Sequence, residues 1–253
     1  MSTLPPPLRI FVAEDLAPGA VVPLPPDKAH HLRAVMRRGV GDPVRLFNGR
    51  HGEWDGMIQA LDKKTALAQV RGQYRPQETT ADPWLLFAPL KKDATDFLVE
   101  KATELGVARL VPVLTDHTVT RRVNVARLAA TARGAAEQCE RLSVPTIDAP
   151  ISLAAALRDW PKDRTLIVGD EHGNAQPLAT ALREGPCHPH IGLLVGPEGG
   201  FSTSELTAPR ALPFVLPVTL GPRILRAETA AIAALAVWQA IAGDANRPPA
   251  PRG

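Results

Sequence analysis

Short alternating runs of hydrophobic and polar residues fill the first 73 residues and predict a small β-rich domain. The first of these runs ends at Asn48-Gly49, a dipeptide typical of tight hairpins. The predicted strands cover residues 44–47, 54–61 and 65–70. Because these strands are short and joined by close turns, the sequence predicts a compact barrel or curled sheet for residues 1–73.

A single helix is predicted inside this domain, over residues 28–38. Asp27 precedes it and is expected to act as the N-cap, since aspartate accepts hydrogen bonds from the first free backbone N–H groups. Leu32, Val35 and Met36 share one apolar side of this helix.

A different pattern begins after residues 74–83, a polar stretch with two prolines that is predicted to be a linker. Apolar strands then alternate with amphipathic helices, the first of which ends at Gly106. The predicted strands are residues 85–88, 110–114, 165–168, 191–195 and 214–220, and the predicted helices are residues 94–105, 125–139 and 226–242. This alternation predicts an α/β domain over residues 84–243, with a mostly parallel sheet covered on both faces and a flexible tail at 244–253.

The net charge of +3 lies entirely in the front of the chain. Residues 1–80 hold 11 Lys and Arg against 8 Asp and Glu, whereas the rest of the chain holds 18 of each. The two cysteines, Cys139 and Cys187, are too few for a disulfide framework, and no zinc-type spacing is present, so no metal site is predicted. Neither a signal peptide nor an apolar stretch of membrane-spanning length occurs, which predicts a soluble cytoplasmic protein without membrane contact.

Two glycine-containing loops follow late strands of the predicted sheet. Residues 196–202, Gly-Pro-Glu-Gly-Gly-Phe-Ser, lead into a helix for which Ser202 and Glu205 form a capping box. Residues 220–230, Leu-Gly-Pro-Arg-Ile-Leu-Arg-Ala-Glu-Thr-Ala, lead into the last helix. Neither loop matches a nucleotide P-loop or a dinucleotide fingerprint. Ligands of open α/β sheets bind at the carboxyl ends of strands, so a ligand site is predicted here, with two structural turns as the alternative.

These loops resemble the two signature loops of the RsmE family, bacterial enzymes of the SPOUT superfamily that methylate N3 of a uridine in 16S ribosomal RNA. The resemblance extends in order over almost the whole chain. Further matching segments are residues 9–11, 30–37, 99–107 and 135–141.

The resemblance implies a PUA-like RNA-binding β-barrel followed by a SPOUT methyltransferase domain with a deep trefoil knot. General topology rules alone predict an unknotted sheet. The resemblance also implies S-adenosylmethionine as the cofactor, a homodimer, and small-subunit ribosomal RNA or the 30S subunit as the partner. The implied cofactor-binding residues are Val195, Gly196, Pro197, Glu198, Gly199, Gly200, Leu220, Gly221, Ile224, Leu225, Arg226, Thr229 and Ala230. A third loop, residues 169–173, matches the family less well.

Three residues of these loops are candidates for the chemistry. Arg226 is expected to stabilise the uracil oxyanion, because a guanidinium presents fixed donors. Glu198 and Glu228 are candidates for substrate positioning or proton transfer. For Glu228 the alternative is compensation of a helix dipole, and the acceptor of the N3 proton is not assigned.

The RNA contacts are expected in the front domain. Arg33 and Arg37 lie four residues apart on one helix face, and the predicted RNA-binding residues are Arg9, His30, Arg33, Arg37 and Arg38. The alternative is a solvated basic face. Only 4% of the residues are aromatic, so stacking of bases on protein rings is not expected to dominate recognition.

Residues 115–119 stand where the family pattern has an arginine-serine pair, and Glu140 replaces a common glycine. The last helix is apolar nearly all round, which predicts burial on all sides, in the core or at a subunit interface. Two other functions stay open: a knotted methyltransferase with another RNA target, such as a ribose 2′-hydroxyl, and an RNA-binding assembly factor without catalysis.

Overall fold

The computed structural model describes residues 7–170, 175–185 and 190–248. The chain divides into two compact units. The first unit comprises Met1–Thr79 together with Ala136–Val144, and the second comprises Thr80–Ala135 together with Pro145–Gly253. The segment Ala136–Val144 is therefore distant in sequence from the rest of its own unit.

A five-stranded sheet forms the first unit. Its strands are β1 (Leu8–Phe11), β2 (Val21–Pro23), β3 (Pro43–Phe47), β4 (Glu53–Leu61) and β5 (Ala66–Arg75), in the order β1-β3-β4-β5-β2. The β3–β4 hairpin confirms the turn predicted at Asn48-Gly49, and Phe47 pairs with Glu53. The Asn48 Oδ1 atom accepts the N–H groups of Arg50 and His51, 3.0 and 2.9 Å away, and so closes the turn.

The helix of this unit begins earlier than predicted. It comprises α1 (Pro26–His30) and a π-helical turn at His31–Val35. Asp27 is not the N-cap, because Pro25 occupies that position and Asp27 lies within the first turn. Pro26 occupies the first helical position. A proline suits that position, because the backbone N–H group that it lacks would have no partner within the helix. Leu32 is fully buried, whereas the side chains of Val35 and Met36 are exposed.

Buried charges connect the sheet of the first unit to the segment Ala136–Val144. Glu53 is 1% exposed and pairs with Arg9 and, at 2.6 Å, with Arg75. The guanidinium of Arg9 also donates to the carbonyl oxygens of Ala136, Glu137 and Arg141, 2.8–3.0 Å away. The Arg9 side chain is only 10% exposed. This geometry assigns Arg9 a structural role in place of the predicted RNA contact.

Glu140 adopts a left-handed backbone conformation with φ of 63°, which costs an L side chain about 1 kcal/mol or more. Its carbonyl oxygen accepts a hydrogen bond from Arg75, which holds the backbone in place. We expect Glu140→Gly to raise the free energy of unfolding by about 1 kcal/mol in urea denaturation, because glycine adopts this conformation without strain. Glu78→Gly, at an exposed site without positive φ, should be neutral or destabilising. A destabilised Glu140→Gly protein would contradict the strain argument.

The second unit is an α/β layer structure. Its strands are β6 (Trp84–Phe87), β7 (Arg109–Leu114), β8 (Thr146–Ile147), β9 (Ile151–Ser152), β10 (Arg164–Gly169), β11 (Gln176–Pro177), β12 (His190–Val195) and β13 (Val215–Thr219). Its helices are α2 (Lys92–Glu104), α3 (Val125–Gln138, which ends in the first unit), α4 (Leu153–Arg158), α5 (Leu178–Glu184), α6 (Thr203–Arg210) and α7 (Ala227–Ile241). The sheet order is β11-β13-β10-β12-β6-β7-β8, and β9 pairs with β7.

All strand pairs described in this sheet are parallel, as the alternating pattern predicts. The central strands are buried on both faces: Leu85, Leu86 and Phe87 of β6 are each 0% exposed, and Leu193 and Leu194 of β12 are at most 2% exposed. Burial of both faces requires helices on both sides, which explains the nearly continuous apolar runs of these strands.

An ion-pair cluster connects the beginnings of β10 and β12. Arg164 donates to the carbonyl oxygens of Asp82 and Ile191, both 2.9 Å away, and to the Asp82 carboxylate at 2.6 Å. His190 lies 2.7 Å from the same carboxylate. Burial acts to raise the pKa of Asp82, but the hydrogen bonds from His190 and Arg164 outweigh it, and the pKa lies below its ordinary value.

The last helix, α7, buries one of its faces within the chain. Its buried residues are Ala227, Ala231, Ala234, Leu235, Trp238 and Gln239. Ala236 and Ala240 are exposed, so only one side of this apolar helix is covered within the chain. Among the described residues, no helix is long and apolar enough to cross a membrane.

Candidate functional site

The two glycine-containing loops begin at the same edge of the parallel sheet. We call residues 196–202 the Gly-rich loop and residues 220–226 the arginine loop. The Gly-rich loop follows β12 and the arginine loop follows β13, and these strands flank β10 on either side. Strands two positions apart lie about 10 Å from one another, so the two loops border a space of small-molecule size at the carboxyl ends of the strands.

A tight turn gives the Gly-rich loop its shape. The N–H group of Gly200 donates to the carbonyl oxygen of Pro197, 2.9 Å away, and Gly200 has a φ of 70°, which favours glycine. The predicted capping box is confirmed: Glu205 accepts the Ser202 N–H at 3.0 Å, and the Ser202 hydroxyl accepts the Glu205 N–H at 3.4 Å. Helix α6 therefore begins directly after the loop.

The arginine loop presents exposed side chains. Gly221 has a φ of 108°, and a Cβ atom placed there would meet no heavy atom within 4 Å. Ile224 is 90% exposed, and Arg223 and Arg226 are exposed as well. Arg226 is the N-cap residue of α7, and its guanidinium makes no hydrogen bond or ion pair within the described ranges. Within the part of the chain that the structure describes, these guanidinium donors are therefore available to a ligand.

A further loop, which the sequence did not assign to the site, contacts the Gly-rich loop. Residues 115–118 follow β7 and place His117 Nδ1 3.0 Å from the Gly199 carbonyl oxygen. The Asp116 carboxylate accepts the hydroxyl of Ser202, 2.7 Å away. In the sequence these residues stand out only as a departure from the family pattern. The signal that would have found them is the position of β7, whose carboxyl end lies at the same sheet edge as the two glycine-containing loops.

Comparison with known proteins identifies the family. A family model described as an RNA methyltransferase domain matches residues 77–239, and one described as an RNA methyltransferase PUA domain matches residues 24–71. The ribosomal RNA small subunit methyltransferase E of Rickettsia conorii is 31% identical over 90% of this chain and 93% of its own length. The chain belongs to the ribosomal RNA small subunit methyltransferase E family. The RsmE resemblance of the sequence motifs is thereby confirmed.

Other proteins that are similar to this chain agree with this assignment. The enzyme of the same name from Synechocystis is 31% identical over 92% of this chain and 77% of its own length. A Neisseria gonorrhoeae methyltransferase E, solved with S-adenosyl methionine bound, is 29% identical and superimposes with a TM-score of 0.82 over 94% of this chain and 99% of its own. A putative methyltransferase of Legionella pneumophila, also solved with this cofactor, is 30% identical, with a TM-score of 0.80 over the same shares. These matches confirm the predicted fold class, a PUA-like domain and an α/β methyltransferase domain.

The structure brings part of the predicted methyltransferase E site to one sheet edge. The predicted residues 195–200 lie at the end of β12, and residues 220–226 lie beyond β13. Glu198 is exposed, whereas Glu228 is half-buried in the first turn of α7. Of the third predicted loop only Gly169 and Asp170 are described, and Asp170 pairs with Arg210. Residues 171–173 of that loop fall outside the described residues.

The basic segment of the first unit, residues 30–38, is largely exposed. Arg33 and Arg37 are exposed and Arg38 is half-buried, and none of the three forms an ion pair within the described ranges. His30 is exposed as well. Lys63 and Lys64, in the β4–β5 turn, add exposed charge that the site prediction omitted. No group of three metal-ligating side chains occurs in the part of the chain that the structure describes.

Proposed function

We propose that the protein transfers the methyl group of S-adenosylmethionine to N3 of a uridine in 16S ribosomal RNA. Family membership makes the chain an S-adenosylmethionine-dependent methyltransferase of ribosomal RNA, as the sequence predicts. The uridine N3 position is the finer step of the proposal. It is supported by one observation above all: the Gly-rich loop and the arginine loop, which begin on either side of β10 at the same sheet edge, resemble the signature loops of the uridine N3-methylating RsmE family.

The bare backbone of the two loops fits an adenosine-containing cofactor. Gly200 and Gly221 hold conformations that side chains rarely adopt, and Ile224 offers exposed apolar surface. We assign cofactor binding to the residues named from the sequence, namely Val195, Gly196, Pro197, Glu198, Gly199, Gly200, Leu220, Gly221, Ile224, Leu225, Arg226, Thr229 and Ala230. When bound, the cofactor supplies an electrophilic methyl group on a sulfonium.

The protein's own groups then act on the uracil. N3 carries a proton at neutral pH, so a negative charge develops on the base as this proton leaves. We assign Arg226 to stabilise that charge on a uracil oxygen, because its exposed guanidinium has no partner within the described ranges. Glu198 and Glu228 are the proposed candidates for substrate positioning or for receiving the N3 proton.

We assign RNA binding to the basic segment of the first unit. The PUA match over residues 24–71 supports this assignment, and so does the exposure of Arg33 and Arg37. Phosphate contacts by arginine give affinity and register without reading the base sequence. Arg9 is removed from the RNA-binding set because its donors are used inside the unit.

Arg37→Gly should weaken RNA binding without weakening the fold. Arg37 has a φ of 53°, a conformation that glycine adopts freely, and the N–H group of Arg38 donates to the Leu32 carbonyl oxygen to end the helix. We expect several-fold lower affinity for a 16S RNA fragment, a salt slope smaller by about one, and an unchanged or higher melting temperature. Fluorescence anisotropy at several salt concentrations measures the affinity and its salt slope, and thermal denaturation measures the melting temperature. Arg71→Ala, at an exposed site, is the control. Unchanged affinity would remove Arg37 from the interface.

The uncovered face of α7 supports a homodimer. Ala236 and Ala240 are exposed, and Ile232 and Val237 are half-buried. They lie on a helix of 15 residues, most of which have apolar side chains. A second copy of the chain would cover this face. We also propose that the trefoil knot implied by the family is present and that the protein acts in the cytoplasm.

The decisive experiment is mass mapping of 16S ribosomal RNA from a strain without the gene, before and after complementation. Loss and restoration of one N3-methyluridine is the expected result. An unchanged N3-methyluridine would refute the uridine N3 assignment, and loss of a different modification would identify another RNA target. Calorimetric titration with S-adenosylmethionine complements the mapping, because absent binding together with unchanged RNA would favour a non-catalytic assembly factor.

A further inference from the structure

Hydrogen bonds between its first and last residues hold the turn at residues 115–118. The Thr118 N–H donates to the Thr115 carbonyl oxygen at 3.1 Å, and the Thr115 N–H donates to the Thr118 hydroxyl at 2.9 Å. The two hydroxyls lie 2.8 Å apart, and the residues are only 3% and 5% exposed. Because both ends of the turn are buried and hydrogen-bonded, the two residues between them, Asp116 and His117, occupy fixed positions at its exposed tip.

His117 contacts the backbone of the Gly-rich loop directly. Its Nδ1 atom lies 3.0 Å from the Gly199 carbonyl oxygen and 3.2 Å from that of Gly200. Carbonyl oxygens only accept hydrogen bonds, so Nδ1 carries a proton and donates to both. A Cβ atom at Gly199 would lie 3.3 Å from the Cβ of His117, so the approach of the two loops is close. The imidazole therefore holds two consecutive peptide units of the Gly-rich loop.

Asp116 contacts the other end of the same loop. Its N–H group donates to Glu205 Oε1 at 2.9 Å, and its carboxylate accepts the Ser202 hydroxyl at 2.7 Å. Ser202 and Glu205 are the two members of the capping box of α6. The turn thus connects to the Gly-rich loop at its glycines and at its junction with the helix.

We propose that His117 is a positioning residue that fixes the Gly-rich loop in the conformation that receives S-adenosylmethionine. This inference rests on the proposed function for the identity of the ligand. A loop that is already ordered before binding loses less conformational entropy on binding, which raises affinity. His117 acts through the backbone carbonyl oxygens of Gly199 and Gly200.

Hydrogen–deuterium exchange of the ligand-free, full-length protein tests the contact itself. We expect His117→Ala to speed exchange of the Gly200 and Ser202 amides about tenfold, because both amides are hydrogen-bonded in the ordered loop. His117→Asn should restore protection to within about threefold of the wild type, since its side-chain amide can donate from nearly the same position. Val119→Ala, 89% exposed and beside the same turn, is the matched control and should leave exchange unchanged.

Calorimetric titration with S-adenosylmethionine tests the consequence for binding. The expected result is a Kd about five- to tenfold higher for His117→Ala, and a Kd within about threefold of the wild type for His117→Asn. Turnover at saturating cofactor should change less than the Kd in His117→Ala, because the group positions the loop and does not touch the reacting atoms.

Three outcomes would overturn the inference. His117→Ala could match Val119→Ala in both exchange and Kd, which would show that the contact does not order the loop. His117→Asn could be as impaired as His117→Ala, which would show that the imidazole acts otherwise than as a donor. His117→Ala could bind the cofactor normally but lose turnover, which would place His117 in the chemistry instead of in the positioning of the loop. Failure of the wild type to bind S-adenosylmethionine would refute the proposed function instead, while the exchange data would still decide the loop contact.

Discussion

Replacing Glu53 by alanine is expected to lower the free energy of unfolding by about 3–5 kcal/mol. The Glu53 carboxylate is buried and receives hydrogen bonds from two arginines, Arg9 and Arg75. Its removal leaves two cations beside one another with no counter-charge. Each side chain is itself largely buried, at 10% and 16% exposure, so water cannot replace the lost partner. Urea denaturation followed by circular dichroism measures the change.

Asp55→Ala is the matched control for this experiment. Asp55 lies on the same strand and pairs with Arg45 at 2.7 Å, but its side chain is 53% exposed. Exposed ion pairs contribute about 0–1 kcal/mol, so this variant should stay close to the wild type. Equal losses for Glu53→Ala and Asp55→Ala would show that burial does not set the strength of the Glu53 cluster.

The elements that follow from local chemistry were predictable from the sequence. Asn48-Gly49 specifies its turn through one side-chain oxygen, and Ser202 with Glu205 specifies the start of α6 through reciprocal hydrogen bonds. The parallel sheet of the second unit was predictable as well, because burial on both faces requires continuous apolar strands such as β6.

Features that depend on distant parts of the chain were not predictable from spacing. Arg9 looked like one more member of a basic domain, but its partners, Glu53 and the carbonyl oxygens of 136–141, are up to 132 positions away. Asp27 has the chemistry of an N-cap, yet Pro25 occupies that position and the helix begins at Pro26, two residues earlier than predicted. His117 contacts a loop 82 positions further on, because their parent strands end at the same sheet edge.

The site was predictable only where the loops carry their own signature. The glycines with positive φ, Gly200 and Gly221, could be identified as loop residues from the motifs that contain them. The loop at residues 115–118 carries no such motif, so its contact with the Gly-rich loop could be found only in three dimensions. The outer face of α7 is a similar case, since apolar composition does not reveal which side of a helix stays uncovered.

Arg226→Ala is expected to lower methyl transfer by about 10²–10³-fold or more while leaving the fold intact. The Arg226 side chain is exposed and unpaired within the described ranges, so its loss removes no packing and no ion pair. Its backbone position as the N-cap of α7 does not depend on the side chain, because no side-chain capping bond is present. The measurement is turnover on undermethylated 30S subunits with labelled S-adenosylmethionine, alongside the melting temperature.

Arg223→Ala supplies the control, since Arg223 is also an exposed arginine and lies three residues earlier in the same arginine loop. Both variants remove one positive charge, so a general electrostatic effect on RNA binding would lower the two turnovers alike. A guanidinium that stabilises charge on the uracil must instead act from one position, and only Arg226→Ala should then lose turnover at saturating RNA. Near-normal turnover of Arg226→Ala would exclude Arg226 from the chemistry. Glu198, Glu228 and the backbone N–H groups of the Gly-rich loop would then be the remaining candidates for acting on the uracil.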